Sequence, residues 1–193
     1  MSSHKANKKE PSRIKEQQQP YESEPYERYE IINNVRFDLK PAPTVNHQHL
    51  VVNLAFFMKL SCRENGIILV SPLDVYLDEA NQFQPDLVFI LHEHQEIVKP
   101  ARIEGAPDLV AEVLSPSTGK NDKISKKVQY ERFGVQEYWL VDPVHWIVEQ
   151  FILRQEKFDL YATYAAEGTL TSPLFSCIAI DLQKLFAPLQ PHA

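Results

Sequence analysis

The sequence predicts a domain of α/β (α+β) class with a central mixed sheet flanked by helices, and three observations carry that prediction. Two short, largely apolar runs, Pro85 to Ile90 with Asp86 at its start and Asp108 to Leu114 behind Pro107, have strand length. The second is apolar enough to be a strand buried on both faces. The segment His47 to Glu64 spaces Leu50, Leu54, Phe57 and Leu60 near helical periodicity, so it reads as a helix packed hard on a sheet. A lysine-rich stretch of 122–133, stopped by Gly134, reads as a second helix behind the polar turn Ser115 to Gly119.

The remaining elements follow in order. Residues 1–28 are Gln/Glu/Lys-rich, broken by Pro11, Pro20 and Pro25, and hold too little apolar surface to offset ordering entropy. They read as a disordered polar tail, with residues 29–193 as one domain. From Tyr29 two β-prone runs flank Asn33-Asn34, residues that tolerate positive φ and suit a hairpin turn. Glu30 lies on the first run, and Pro41 and Pro43 end the extended segment. Past the first helix come short strands at Ile67 to Val70 and Leu73 to Leu77, joined across Ser71-Pro72, and an Asn/Gln-rich turn before Pro85-Asp86. A polar connection spans His92 to Gly105. Strands at Glu137 to Val141, Trp146 to Leu153 and Phe158 to Tyr164, and a short helix at Leu182 to Phe186, complete the chain.

Composition narrows the function classes. With 193 residues the chain buries one core, and a second full domain is not expected. Cys62 and Cys177 form neither a close pair nor a Cys/His ligand pattern, so they read as buried fillers of an intracellular protein rather than a disulfide framework. No apolar run approaches the roughly 20 residues of a membrane span and no hydrophobic leader follows the N-terminal lysines, so the expectation is a cytoplasmic protein with no membrane partner. The net charge of -6 is uneven, because Lys5, Lys8, Lys9, Arg13 and Lys15 face only Glu10 in the first fifteen residues. An acidic body argues against nucleic-acid binding by bulk charge. One segment is locally basic, with Lys120, Lys123, Lys126, Lys127 and Arg132.

The chemistry centres on Glu112. A lone carboxylate in so apolar a strand costs several kcal/mol unless a partner, a metal or a proton offsets it. Asp86 opens the other apolar strand, and two carboxylates at one level of neighbouring strands repel until one is protonated or a divalent cation joins them. Oxygen donors suit Mg²⁺ or Mn²⁺, which lower the pKa of a bound water and stabilise charge on phosphate. A lysine nearby would complete such a site. Asp122, Lys126 and Tyr130 fall on one helical stripe, which directs Lys127 elsewhere. Asp108 shares the strand face of Glu112 but lies at the strand's edge.

Taken together, QPDLVFI at 84–90, EGAPDLVAEVLSPST at 104–118, the Asp122, Lys126, Tyr130 spacing, GVQEYWLVDP at 134–143 and YEIINNVRF ahead of His47 resemble the Uma family of restriction endonucleases. That family is a bacterial branch of the PD-(D/E)XK nuclease superfamily, and the resemblance covers about residues 29–187. It implies a restriction-endonuclease-like fold and metal-dependent hydrolysis of DNA, with Asp86, Glu112 and the backbone carbonyl of Val113 as ligands of Mg²⁺ or Mn²⁺. It leaves a homodimer open. Leu114 stands where the wider superfamily carries its lysine, and Lys126 is the matching position on the helix. Catalysis would then rest on Asp86, Glu112 and Lys126, with Glu30, His47, Asp108, Asp122 and Tyr130 around them.

A second reading is a nuclease-fold protein without catalysis that serves as a nucleic-acid-binding or assembly module, which the acidic body and the absent strand lysine favour. Local alternatives are an ion pair of Glu112 with Lys126, a surface pair of Asp122 with Lys126, a turn role for Asp86, a helix-start role for His47 and a solvated connection for His92 and His94. Tyr138, Trp139 and Trp146 read as core aromatics rather than a base-stacking platform.

Overall fold

A computed structural model describes residues 28–39, 42–115 and 121–187, with the backbone alone for 121–123. The predicted tail lies outside the described residues except for Arg28, whose guanidinium donates to Gln84 Oε1 and Ser71 Oγ, each at 3.3 Å. Strands β1 (Tyr29–Ile32) and β2 (Val35–Asp38) form the expected hairpin. Asn33 (φ 51°) and Asn34 (φ 64°) take its two left-handed positions. Helix α1 (Val45–Cys62) starts at Thr44, whose Oγ1 accepts from the His47 backbone N–H at 3.3 Å. Its buried face is Leu50, Val51, Leu54, Met58 and Cys62. The expectation for Leu60 is corrected, since Met58 continues the i, i+4 stripe and Leu60 is 70% exposed.

Strands β3 (Gly66–Val70), β4 (Val75–Asp78), β5 (Asn81–Phe83), β6 (Leu87–Leu91), β7 (Ile103–Glu104) and β8 (Leu109–Val113) follow. The Asn/Gln-rich turn is corrected to strand β5, which pairs with both β1 and β4. A three-residue polar strand carries no periodicity of its own, so only its neighbours reveal it. Gly66 lets β3 approach β6 closely, because a Cβ there would run into the carbonyl of Ile90. The polar connection holds a 3-10 turn (His92–Ile97) as well as β7. The predicted lysine-rich helix is a π-helical turn (Asn121–Lys126) running into α2 (Lys127–Arg132). Gly134, at φ 83°, ends it, and Val135 N–H donates to the Tyr130 carbonyl at 3.0 Å.

The chain closes with β9 (Glu137–Asp142), β10 (Ile147–Arg154), β11 (Lys157–Tyr164), β12 (Thr169–Thr171), β13 (Ala179–Asp181) and α3 (Leu182–Phe186). The central six-stranded sheet has the order β11-β10-β9-β8-β6-β3 and is mixed, since β8 and β9 are parallel and the other pairs antiparallel. On one face α1, α3 and the β12-β13 pair close a core with Leu87, Phe89, Leu109, Ala111, Val113 and Trp139. On the other, Val88, Ile90, Val110, Tyr130 and Tyr138 meet Ile32, Val75, Phe83 and Ile103 of a five-stranded sheet ordered β2-β1-β5-β4-β7.

Two sequence expectations fail here. Cys62 and Cys177 are bonded as a disulfide, their Cα atoms 5.2 Å apart, rather than standing as separate fillers. They are 115 positions apart, and they meet only because α1 packs against the β12-β13 region. Tyr138 and Trp139 are fully buried, but Trp146 is 38% exposed at the β9–β10 turn. Among the described residues no helix is long and apolar enough to cross a membrane.

Candidate active site

Strand pairing brings the two acids together. Leu87 lies opposite Ala111 in the antiparallel β6–β8 pair, and extending that register by one residue sets Asp86 opposite Glu112. The Asp86 N–H accordingly donates to Glu112 Oε2 at 3.3 Å, and the Val113 N–H donates to Asp86 Oδ2 at 2.8 Å. Glu112 is 2% exposed, whereas the Asp86 side chain keeps 16% of its surface.

Glu112 has its partner in Lys126. The ammonium stands 3.0 Å from Glu112 Oε1 and 2.7 Å from Glu30 Oε1, and Lys126 is 2% exposed. The surface pair of Asp122 with Lys126 is therefore corrected for Lys126, which is buried; the side chain of Asp122 lies outside the described residues. Glu30 reaches the site from β1 of the smaller sheet, where its Oε1 also accepts from the Gln84 N–H at 2.9 Å. Tyr130, one helical turn beyond Lys126, donates its hydroxyl to Glu112 Oε1 at 3.0 Å. Its ring is set edge-on against Phe83 at 5.3 Å. Burial, followed by the neighbouring Glu112 charge, pushes the Tyr130 phenol well above its usual range, so it remains a donor. Lys127 turns away and lays its ammonium 3.5 Å over the Phe151 ring, where burial lowers its pKa.

His47 does more than start a helix. Its position in the first turn of α1 brings Nε2 to 3.0 Å from Asp86 Oδ2, while its Nδ1 is buried without a hydrogen-bond partner. Asp108 is corrected: it does not join the cluster. Its Oδ1 is 2.7 Å from His94 Nδ1 and its Oδ2 accepts from the Leu91 N–H at 2.8 Å, which pins the start of β8 to the end of β6. The hydrogen bond to Asp108, and then its charge, raise the pKa of His94. Sequence reasoning missed Gln84, whose amide donates to Asp74 Oδ1 at 2.9 Å and accepts from Arg28, tying the approach to β6 in place. Its place directly before Pro85-Asp86 was the available signal. It also missed Gln129, buried in α2 with Oε1 unpartnered.

The donor set suits a hard divalent cation. Among the described residues, Glu30 and Glu112 share the Lys126 ammonium, and Asp86 stands beside Glu112 with His47 Nε2 at 3.0 Å. Both Asp86 side-chain hydrogen bonds fall on Oδ2. Among the described residues no group of three or more His, Cys, Asp or Glu is arranged to hold a metal by itself. One or two carboxylates completed by a carbonyl, water and substrate phosphate is the way Mg²⁺ is commonly held.

Comparison with known proteins gives three findings. A family model described as "Uma2: Putative restriction endonuclease" matches residues 16–183. An uncharacterized protein of a Synechocystis strain is 31% identical over 111 residues, 56% of this chain; the chain spans 63% of that relative's length. A crystal structure described as "a putative nuclease belonging to DUF820" from Anabaena variabilis superposes with a TM-score of 0.69 over 84% of this chain and 91% of that one. At 18% identity that likeness shows the shared restriction-endonuclease-like nuclease fold.

Proposed function

The chain belongs to the Uma2 restriction-endonuclease family, and from that premise we propose that it is a Mg²⁺- or Mn²⁺-dependent endonuclease that hydrolyses DNA phosphodiester bonds at Asp86, Glu112 and Lys126. The observation that carries the reading is the convergence of Asp86 and Glu112 on one strand register, with a buried lysine delivered from the following helix. Asp86, Glu112 and the Val113 carbonyl would hold the cation. When bound, it would supply a water of lowered pKa and charge stabilisation for the phosphate oxygens.

The chain's own groups prepare that chemistry. His47 and the Val113 N–H fix the Asp86 carboxylate through Oδ2. Tyr130 and Lys126 fix Glu112 through Oε1, and Glu30 holds the other side of the ammonium. A positive charge fixed before substrate arrives costs no reorganisation when negative charge grows on the transferring phosphoryl group. In this reading the lysine keeps its role although Leu114 fills the strand position, because a helix returning over the sheet places it beside the same carboxylate. In this reading residues 29–193 are the catalytic domain and residues 1–28 are dispensable for it.

The test pairs metal binding with cleavage. Mg²⁺ or Mn²⁺ should raise wild-type thermal stability by mass action and Asp86→Asn should lose most of that increase, together with cleavage. Unchanged metal affinity in Asp86→Asn would remove this residue from the site. A protein that binds nucleic acid but shows neither metal stabilisation nor cleavage would be the inactive binding or assembly module.

A further inference from the structure

We propose that the outer edge of β3, together with the exposed side of α1 above it, is an interface that joins two copies of this chain into a two-fold dimer. The inference goes beyond the nuclease reading and does not depend on it. β3 ends the six-stranded sheet and pairs with β6 alone. The His92 N–H donates to the Asn65 carbonyl and the Ser71 N–H to the Asp86 carbonyl, each at 3.1 Å, so the odd-numbered residues from 65 to 71 turn toward β6. Gly66, Ile68 and Val70 therefore direct their N–H and C=O groups outward, and among the described residues nothing bonds to them. The strand GIILV carries no charge or proline of the kind that keeps another strand away. The opposite edge of the sheet is guarded. There the Phe158 N–H donates to Glu131 Oε2 at 2.7 Å, and the exposed Lys157 pairs with the same carboxylate.

The helix over the β3 edge is apolar on both sides. Leu50, Leu54 and Met58 face the core, whereas Val52, Phe56 and Leu60 repeat every four residues on the outer side and are 62%, 59% and 70% exposed. A helix with apolar residues all round is normally covered all round. Phe56, Lys59, Leu60 and Arg63 line a groove of about 610 Å³ whose other wall is β3 itself, so the stripe and the strand edge form one surface.

A second copy fits this surface because the edge is its own complement. A two-fold axis at Ile68, normal to the sheet, sets Gly66 opposite Val70 of the second copy and Ile68 opposite its own counterpart. All of these residues face outward, so each facing pair exchanges both of its hydrogen bonds. The two six-stranded sheets become one, with the two α1 helices on the same face beside the junction. A strand edge about 16 Å long with a helix laid over it covers on the order of 600 Å² per copy, or about 1,200 Å² for the pair, the lower end of stable specific interfaces. Charge in the groove is accommodated. Arg63 is paired with Glu64 at 2.9 Å, and Lys59 can hold its ammonium in water along an apolar stem. The β3–β6 register places Asp86 beside Ser71, so antiparallel pairing carries the two candidate sites to opposite edges of the joined sheet and leaves each complete within one chain.

The test is the mass of the full-length protein by sedimentation velocity, without DNA or added metal, over a dilution series that reaches tens of micromolar. Wild type should approach twice the 22.3 kDa of one chain as concentration rises. Phe56→Glu and Leu60→Glu bring like charges together across the axis and should weaken association by about tenfold or more. Both positions are exposed in one chain, so at the dilute end the thermal midpoints of these variants should match wild type. Val70→Pro removes an outward N–H while sparing the bonds to β6, and should weaken association as well. Leu160→Glu on β11, where Leu160 is 53% exposed, is the control and should associate like wild type. Wild type that stays monomeric at the highest concentration would overturn the proposal and leave the groove to residues 1–27 or to another protein. Glutamate variants at Phe56 and Leu60 that associate like wild type would overturn it too, as would dissociation by Leu160→Glu alone, which would move the interface to β11.

Discussion

Replacing Lys126 with methionine tests how the buried cluster is held together. The ammonium lies 2.7 Å from Glu30 and 3.0 Å from Glu112, and all three side chains are 3% exposed or less. Removing one member of a buried ion pair strands the other charge and costs about 3–5 kcal/mol. An exposed pair would cost roughly 0–1 kcal/mol. For a chain of this size the buried case lowers the melting midpoint by about 6–20 °C. Urea unfolding at neutral pH is the assay, with the shift read at constant slope. Adding Glu30→Gln to Lys126→Met removes one of the two stranded charges, so the double variant should regain on the order of 1 kcal/mol or more. A loss below about 1 kcal/mol for Lys126→Met would refute the buried bridge and with it the pre-set charge at the site.

Two further outcomes follow from groups outside the site. Glu137 is fully buried and accepts from Trp139 Nε1, Gln150 Nε2 and Ser172 Oγ, and burial raises its pKa above the usual carboxylate value. Its contribution is therefore fully present below the unfolded value of about 4.3 and is lost as pH rises through the raised folded pKa. The stability of wild type relative to Glu137→Gln should fall over that interval in pH-dependent urea melts, and a difference that grew with pH would contradict the raised pKa. The Cys62–Cys177 bridge spans 115 positions, and closing such a loop restricts the unfolded chain by on the order of 4–5 kcal/mol. Dithiothreitol should lower the wild-type midpoint and leave Cys177→Ser unmoved; equal melting of wild type with and without reductant would contradict the bridge.

The elements written in local chemistry are the ones legible in the sequence. Asn33-Asn34 announces its hairpin because few residue pairs accept two left-handed conformations, and Gly134 marks the end of α2 for a similar reason. Glu112 is conspicuous as a charge in an apolar strand, and the i, i+4 relation of Lys126 and Tyr130 places both on the face that meets it. The rest depends on tertiary pairing. Glu30 reaches Lys126 only because β1 pairs with β5 in a second sheet, and β5 is too short and polar to announce itself. Asp108 has the right alternation to join Glu112, yet His94 and the Leu91 N–H claim both of its oxygens. Nothing in the spacing of Cys62 and Cys177 reports that α1 lies beside β13. Trp146 reads as a core aromatic, and only its place in the turn between β9 and β10 leaves it 38% exposed.

The most direct test of the central claim is cleavage of supercoiled plasmid by wild type and by Glu112→Gln, each with Mg²⁺ and with Mn²⁺. The glutamine keeps the shape that Lys126 and Tyr130 enclose but withdraws the negative charge that a cation would need. The account predicts metal-dependent nicking or linearisation by wild type, abolished by EDTA, and a rate at least a hundredfold lower for Glu112→Gln, the loss expected when about 3 kcal/mol of transition-state stabilisation is removed. Equal rates for the two proteins, or an intact plasmid after prolonged incubation of folded wild type with either metal, would contradict it.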